Sequence, residues 1–158
     1  MRITNNLITR DLIKTGLDAS NRDELFDEML DFFCERFPAF DKKELLDYLN
    51  KREAKGTTNL EFGLAVPHGR PPSLDATYGA IGISRGGIDF FDNRPPVYIV
   101  TLLFASDEPG NVYLKILSSI ACLLKNTAIR EELLNAESPD EAFDILSRGE
   151  VSLGISDD

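Results

Sequence analysis

Val97-Tyr98-Ile99-Val100-Thr101-Leu102-Leu103-Phe104 is an eight-residue, nearly unbroken apolar run, rich in β-branched and aromatic side chains. Its length suits a strand rather than a helix, and its lack of in-out alternation is that of a strand covered on both faces. Such a strand needs helices above and below it, so the chain reads as α/β with a central sheet. Upstream, Gly79 to Ser84 and Ile88 to Phe91 read as two further strands, and Phe62 to Val66 as a short buried strand that runs into a loop at Pro67-His68-Gly69.

Helices fill the rest. Leu25, Phe26, Met29, Leu30, Phe33 and Phe37 recur at helical spacing. Ser20 with Asp23, or Asn21 with Glu24, provides a capped start, which predicts a helix from Arg22 to Phe37 that Pro38 closes. Asp41 followed by Glu44 opens a second helix carrying Leu45, Leu46 and Leu49, and this helix delivers Arg52 to its last turn. After Pro109, helical patterns cover about 111–125, 128–136 and 139–148. The last begins with Ser138 as cap, Pro139 at the first position and Glu141 completing a capping box, and Gly149 is expected to end it. Residues 1–158 then form one domain, with 152–158 as a loose acidic tail.

The 158 residues carry 17 basic and 27 acidic side chains, a formal net charge of -10, and 42% of them are apolar. That is the composition of a globular domain with a real core, and it lacks the cationic stripe that a phosphate backbone requires, so no nucleic-acid partner is expected. The longest apolar run falls well short of the ~20 residues of a membrane span, and the opening residues have no signal core, which predicts a cytoplasmic protein without stable membrane insertion. Cys34 and Cys122 lie in apolar periodic stretches and read as buried core thiols. A single histidine leaves an imidazole-rich metal site without ligands, so neither a metal nor another cofactor is expected. Neither of the standard phosphate loops is present, because the lysine of Lys55-Gly56-Thr57-Thr58 precedes its glycine, and there is no nucleophile elbow.

His68 remains. It sits at a strand exit, where open α/β sheets place ligands. From Tyr48 to Pro72 the charges are Lys51, Arg52, Lys55 and Arg70 against Glu53 and Glu61, a local excess of cations within an acidic chain. A neutral imidazole beside a guanidinium and hydroxyl donors is a competent nucleophile toward phosphorus, and phosphoryl transfer asks a protein mainly to position the group and match its charge. Arg52 and Thr58 are the right kinds of donor. Each also has a plainer reading, Arg52 as an exposed helix-end residue paired with a nearby glutamate and Thr58 as a turn residue satisfying its own backbone.

Arg52-Glu53-Ala54-Lys55-Gly56-Thr57-Thr58 and then Gly63-Leu64-Ala65-Val66-Pro67-His68-Gly69 resemble the enzyme IIA component of the bacterial phosphoenolpyruvate-dependent sugar phosphotransferase system, of the fructose/mannitol/nitrogen-regulatory type. Gly87-Ile88-Asp89-Phe90, strand 97–104 and Tyr113 to Ala121 resemble its second half, so that the likeness covers roughly residues 3–150. The resemblance implies a single-domain α/β sandwich with a central mixed sheet flanked by helices. It implies that His68 takes a phosphoryl group on Nε2 from a small histidine phosphocarrier protein and passes it to a IIB component, with Arg52 near the phosphoryl site. Sugar-transporting members usually carry a second histidine where this chain has Tyr113, whose phenol can donate one hydrogen bond to a phosphoryl oxygen but lacks an imidazole's acid/base range. The alternative within the resemblance is a regulatory module that docks onto target proteins according to its phosphorylation state. Outside it stands a ligand-binding α/β protein with no transfer activity.

Overall fold

The computed structural model describes residues 1–72, 74–105 and 112–157. In chain order the elements are α1 (Ile3–Asn6), a 3-10 turn (Arg10–Leu12), β1 (Ile13–Thr15), α2 (Arg22–Arg36), α3 (Lys42–Ala54), β2 (Leu64–Ala65), β3 (His68–Gly69), β4 (Tyr78–Ile88), β5 (Val97–Phe104), α4 (Val112–Leu124), α5 (Thr127–Leu134) and α6 (Pro139–Ser152). The sheet runs β1-β4-β5-β2, with β3 also on β5; β4 and β5 are antiparallel while β1, β2 and β3 pair parallel to their neighbours. The sheet is therefore mixed and central, as expected. Helices α2 and α3 lie together on one face, where Met29 and Tyr48 face Gly82 and Gly69, while α1, α4, α5 and α6 cover the other. From Ile99 to Phe104 every residue of β5 is buried, which accounts for its unbroken apolar run.

The two strands expected at 79–84 and 88–91 are one. β4 continues to Ile88 across a bulge between Ile83 and Ile88, where Gly87 takes φ 86° and donates its N–H to the Ser84 hydroxyl. The Gly86-Gly87 pair that reads as a break is a bend within a ladder. Phe91, expected to be extended, is left-handed in the following turn at φ 57°. Another difference is β1, which the sequence reading lacks altogether; three residues, Ile13-Lys14-Thr15, are too few to show a period.

Asn21 caps α2 by accepting from the Glu24 N–H, and Ser138 caps α6 by accepting from Glu141. Asp41 caps α3 through Lys43. Gly149 does not end α6. It lies inside the helix, where a Cβ would come within 2.8 Å of Ile129, so its lack of a side chain serves packing, and the stop falls at Gly154, whose φ of 70° closes the αL turn. Neither cysteine is a buried core thiol: Cys34 is half-buried on α2, packed against the core, and Cys122 is exposed on α4. Pro109 and Asn111, used to place the start of α4, lie outside the described residues. In the stretch 152–158, Asp157 accepts a hydrogen bond from Asn5 at 2.8 Å and lies 3.6 Å from Arg2. Among the described residues no single helix is long and apolar enough to cross a membrane.

Candidate functional site

β2 and β3 are two parts of one extended edge. Leu64 pairs with Ile99 and His68 with Leu103, the same register offset, and the Pro67 carbonyl still accepts from Leu103 N–H at 3.0 Å. Pro67 has no N–H to return, so the ladder is interrupted there. His68 is thus within the sheet edge rather than beyond a strand's exit. Residues 63, 67 and 69 turn their carbonyls toward β5, which leaves the Val66 carbonyl facing away from it. The His68 ring takes that carbonyl, with Nδ1 to Val66 O at 2.8 Å. Gly69 beside it has no room for a side chain, since a Cβ would lie 2.9 Å from the Tyr48 Cβ of α3.

Arg52 arrives from the last turn of α3. Its Nε–H donates to His68 Nε2 at 3.1 Å and its Nη1–H to the Gly56 carbonyl at 2.8 Å. Gly56 sits at φ 144°, open to glycine, so the residue type fixes the carbonyl that aims the guanidinium. The two neighbours of the imidazole force one tautomer. A carbonyl can only accept, so Nδ1 carries the proton; a guanidinium can only donate, so Nε2 presents its lone pair. Burial holds the His68 pKa below the usual histidine value, and Arg52 and Arg70 push it the same way against the Val66 carbonyl and Glu53. At neutral pH the ring is therefore neutral, with the proton on Nδ1 and the Nε2 lone pair facing Arg52.

Behind this pair a buried carboxylate secures the loop. Glu53, 8% exposed, accepts from the Thr58 N–H at 3.1 Å and from the Thr58 hydroxyl. Thr58 is itself buried, and its one hydroxyl proton is directed at Glu53 rather than toward His68. Thr57 donates to Asp92 at 2.7 Å, tying the same loop to the β4–β5 turn. Tyr113, in the first turn of α4, brings its ring centroid to 5.6 Å from that of His68, and burial raises its phenol pKa above the usual range against the pull of Arg70 and Arg52. Arg70 stands over the other ring in this group, 4.6 Å from the Tyr113 centroid.

His68, Arg52 and Tyr113 therefore meet at one place, and Thr58 lies in the loop that supports them. Glu53 and Arg70 escaped the sequence reading as site residues, although each had a signal. Glu53 follows Arg52 directly, and Arg70 lies two residues beyond His68, hence on the same side of an extended segment. Among the described residues no group of three or more acidic, cysteine or histidine side chains is arranged to hold a metal ion.

A family profile described as "Phosphoenolpyruvate-dependent sugar phosphotransferase system, EIIA 2" matches residues 6–149. The chain belongs to this family. Its relatives include the PTS system fructose-specific EIIABC component of Bacillus subtilis (strain 168), 29% identical over 149 residues. That alignment covers 94% of this chain but only 23% of the Bacillus protein, so the EIIA-type chain spans about a quarter of that relative. The PTS system fructose-specific EIIA component of Haloferax volcanii is 29% identical over 139 residues, 87% of this chain and 90% of the relative. Among solved structures, nitrogen regulatory protein IIA-Ntr from Neisseria meningitidis superposes with a TM-score of 0.79 at 26% identity, covering 91% of this chain and 98% of that one. Membership carries a phosphotransfer role at the level of the family.

Proposed function

We propose that this EIIA-type domain is a phosphoryl carrier whose His68 Nε2 accepts the group from a small histidine phosphocarrier protein and gives it to a IIB component of a fructose/mannitol-type system. The observation that carries the reading is the pair of contacts on the imidazole: Nδ1 on Val66 O at 2.8 Å and Nε2 against Arg52 at 3.1 Å. In the acceptance step the Nε2 lone pair forms a bond to phosphorus while the donor's N–P bond breaks, and the electron pair returns to the donor imidazole. Nδ1 keeps its proton, and the positive charge that develops on the ring is met by the Val66 carbonyl. Arg52 exchanges Nε2 for the phosphoryl oxygens, where a planar fork matches the charge on the equatorial positions. In the onward step a nucleophile of the IIB component attacks phosphorus, and the pair returns to Nε2. Val112 and Leu114, exposed on either side of Tyr113, offer a protein partner an apolar footing.

A second reading has its own support. The likeness to a protein named as a nitrogen regulatory IIA, with Tyr113 in place of a second imidazole, favours a module that docks onto regulatory targets according to the phosphorylation state of His68. Both readings share the first step. Incubation with phosphoenolpyruvate, enzyme I and a histidine phosphocarrier protein is expected to give an acid-labile, base-stable label that His68→Ala abolishes. Labelling that survives the substitution overturns the assignment, because the chain has no other histidine. Transfer of the label to a IIB component then separates carrier from regulator.

A further inference from the structure

Most arginines of the chain donate to main-chain carbonyls, Arg2 and Arg10 among them, and among the described residues Arg70 does not. Arg36, Arg85, Arg94 and Arg130 all spend donors on main-chain carbonyls. Arg52 spends two, one on Gly56 and one on His68. Among the described residues, no hydrogen bond or ion pair engages the guanidinium of Arg70, whose contact is the Tyr113 ring face at 4.6 Å. A cation held by a ring face keeps its in-plane N–H groups unspent, and guanidinium has five of them. The backbone places it as well: Pro71 restricts Arg70 to extended conformations, so Arg70 and His68 project to the same side of the chain. Both side chains then abut one phenol ring, with the imidazole centroid 5.6 Å from the phenol centroid.

We infer that Arg70 is a second ligand for the phosphoryl oxygens on His68, held in place by the face of Tyr113, which acts as a positioning residue through its ring rather than its hydroxyl. The inference rests on the phosphoryl-carrier reading and deepens it. A transferring phosphoryl group spreads its charge over three equatorial oxygens, more than one guanidinium can meet. Arg52 approaches from α3 and Arg70 from the chain just beyond β3, so the pair spans the group between them. The position at which the resemblance expects a second imidazole thus supplies a platform for a cation that needs no proton transfer of its own.

The test compares Arg70→Gln, Tyr113→Phe, Tyr113→Leu and the double variant Arg70→Gln/Tyr113→Leu by rapid-quench phosphorylation at saturating carrier protein. Thermal melts serve as a folding control. Arg70→Gln is expected to slow phosphorylation about tenfold or more, and Tyr113→Leu about as much. Tyr113→Phe, which keeps the ring, stays within about twofold of the parent, and the double variant is no slower than either slow single. A 31P titration of the phosphorylated protein gives a readout that docking and folding do not move. Losing a guanidinium raises the pH midpoint of the phosphoryl resonance, so Arg70→Gln and Tyr113→Leu shift it upward while Tyr113→Phe leaves it in place. A labelled parent whose Arg70→Gln variant keeps the parental rate and midpoint overturns the inference alone, as does Tyr113→Phe falling as far as Tyr113→Leu. A parent that takes no label at all removes the proposed function and this inference with it.

Discussion

Replacing Arg52 by lysine keeps the charge and removes the fork. One guanidinium here serves two acceptors in different directions, His68 Nε2 at 3.1 Å and the Gly56 carbonyl at 2.8 Å. The single nitrogen of a lysine can reach one of them and not both in the same geometry. When the phosphoryl group arrives, the variant therefore either keeps its anchor on Gly56 and meets the oxygens poorly, or meets them without an anchor. Either way one charge-assisted hydrogen bond is missing in the transition state, worth about 1.5–3 kcal/mol, or about 10- to 150-fold in rate. Stability is not expected to follow, because lysine and arginine have nearly equal helix propensity and the position lies in the partly exposed last turn of α3. Rapid-quench phosphorylation of Arg52→Lys by the carrier protein, with thermal melts of the same samples, tests both halves. A parental rate in the variant refutes the reasoning, and so does a fall of several degrees in Tm that accounts for a slower rate.

The lowered pKa of His68 carries a sign for stability. Its unfolded imidazole takes a proton near ~6.5 and the folded one only at lower pH, so the unfolded chain binds more protons between those values. This contribution to stability is present above about pH 6.5 and is lost as the pH falls toward the folded value. Urea melts of the parent and His68→Gln across that window are expected to show a steeper acid loss in the parent, and identical slopes would place the acid sensitivity elsewhere. Gly69→Ala should destabilise by about 1–3 kcal/mol, or roughly 2–4 °C in Tm for each kcal/mol, by driving a Cβ against the Tyr48 Cβ at 2.9 Å. Tyr48→Ala keeps that Cβ and should give no relief; an unchanged Tm in Gly69→Ala would show that β3 can move away from α3 freely.

What the sequence made legible depended on whether local pattern and tertiary role agreed. β5 is buried nearly throughout, so its apolar run has one reading, and Asn21 and Ser138 cap their helices in the way their side chains allow. Glycine is where the reading failed, because three different causes use the same residue. Gly87 bends a strand without ending it, Gly149 makes space for Ile129 inside a helix, and Gly154 terminates one. Only the partner elements distinguish them, and these are distant in sequence. The site divides the same way. His68, Arg52 and the resemblance around them were visible in a contiguous motif. The commitment of the Thr58 hydroxyl to Glu53 and the seat of Arg70 on Tyr113 depend on where a buried carboxylate and a remote helix come to rest.

The carboxylate of Glu150, fully buried near the end of α6, accepts the Ile3 N–H at 2.6 Å and the Thr4 hydroxyl at 2.5 Å, and thereby caps the first turn of the chain. Arg2 reaches the Ile155 carbonyl at 3.0 Å from the same corner. This clasp makes the two ends a single attachment point. Any sequence joined before residue 1 and any joined after residue 157 would leave the domain side by side, so the fold is suited to being spliced into a longer polypeptide as an insert or tethered from either end by short linkers. By the same logic, joining the two ends with a short peptide and reopening the chain at an exposed loop should leave the sheet and its edge histidine intact, whereas deletion of residues 1–4 would strip the Glu150 carboxylate of the Ile3 N–H and Thr4 hydroxyl donors that satisfy it.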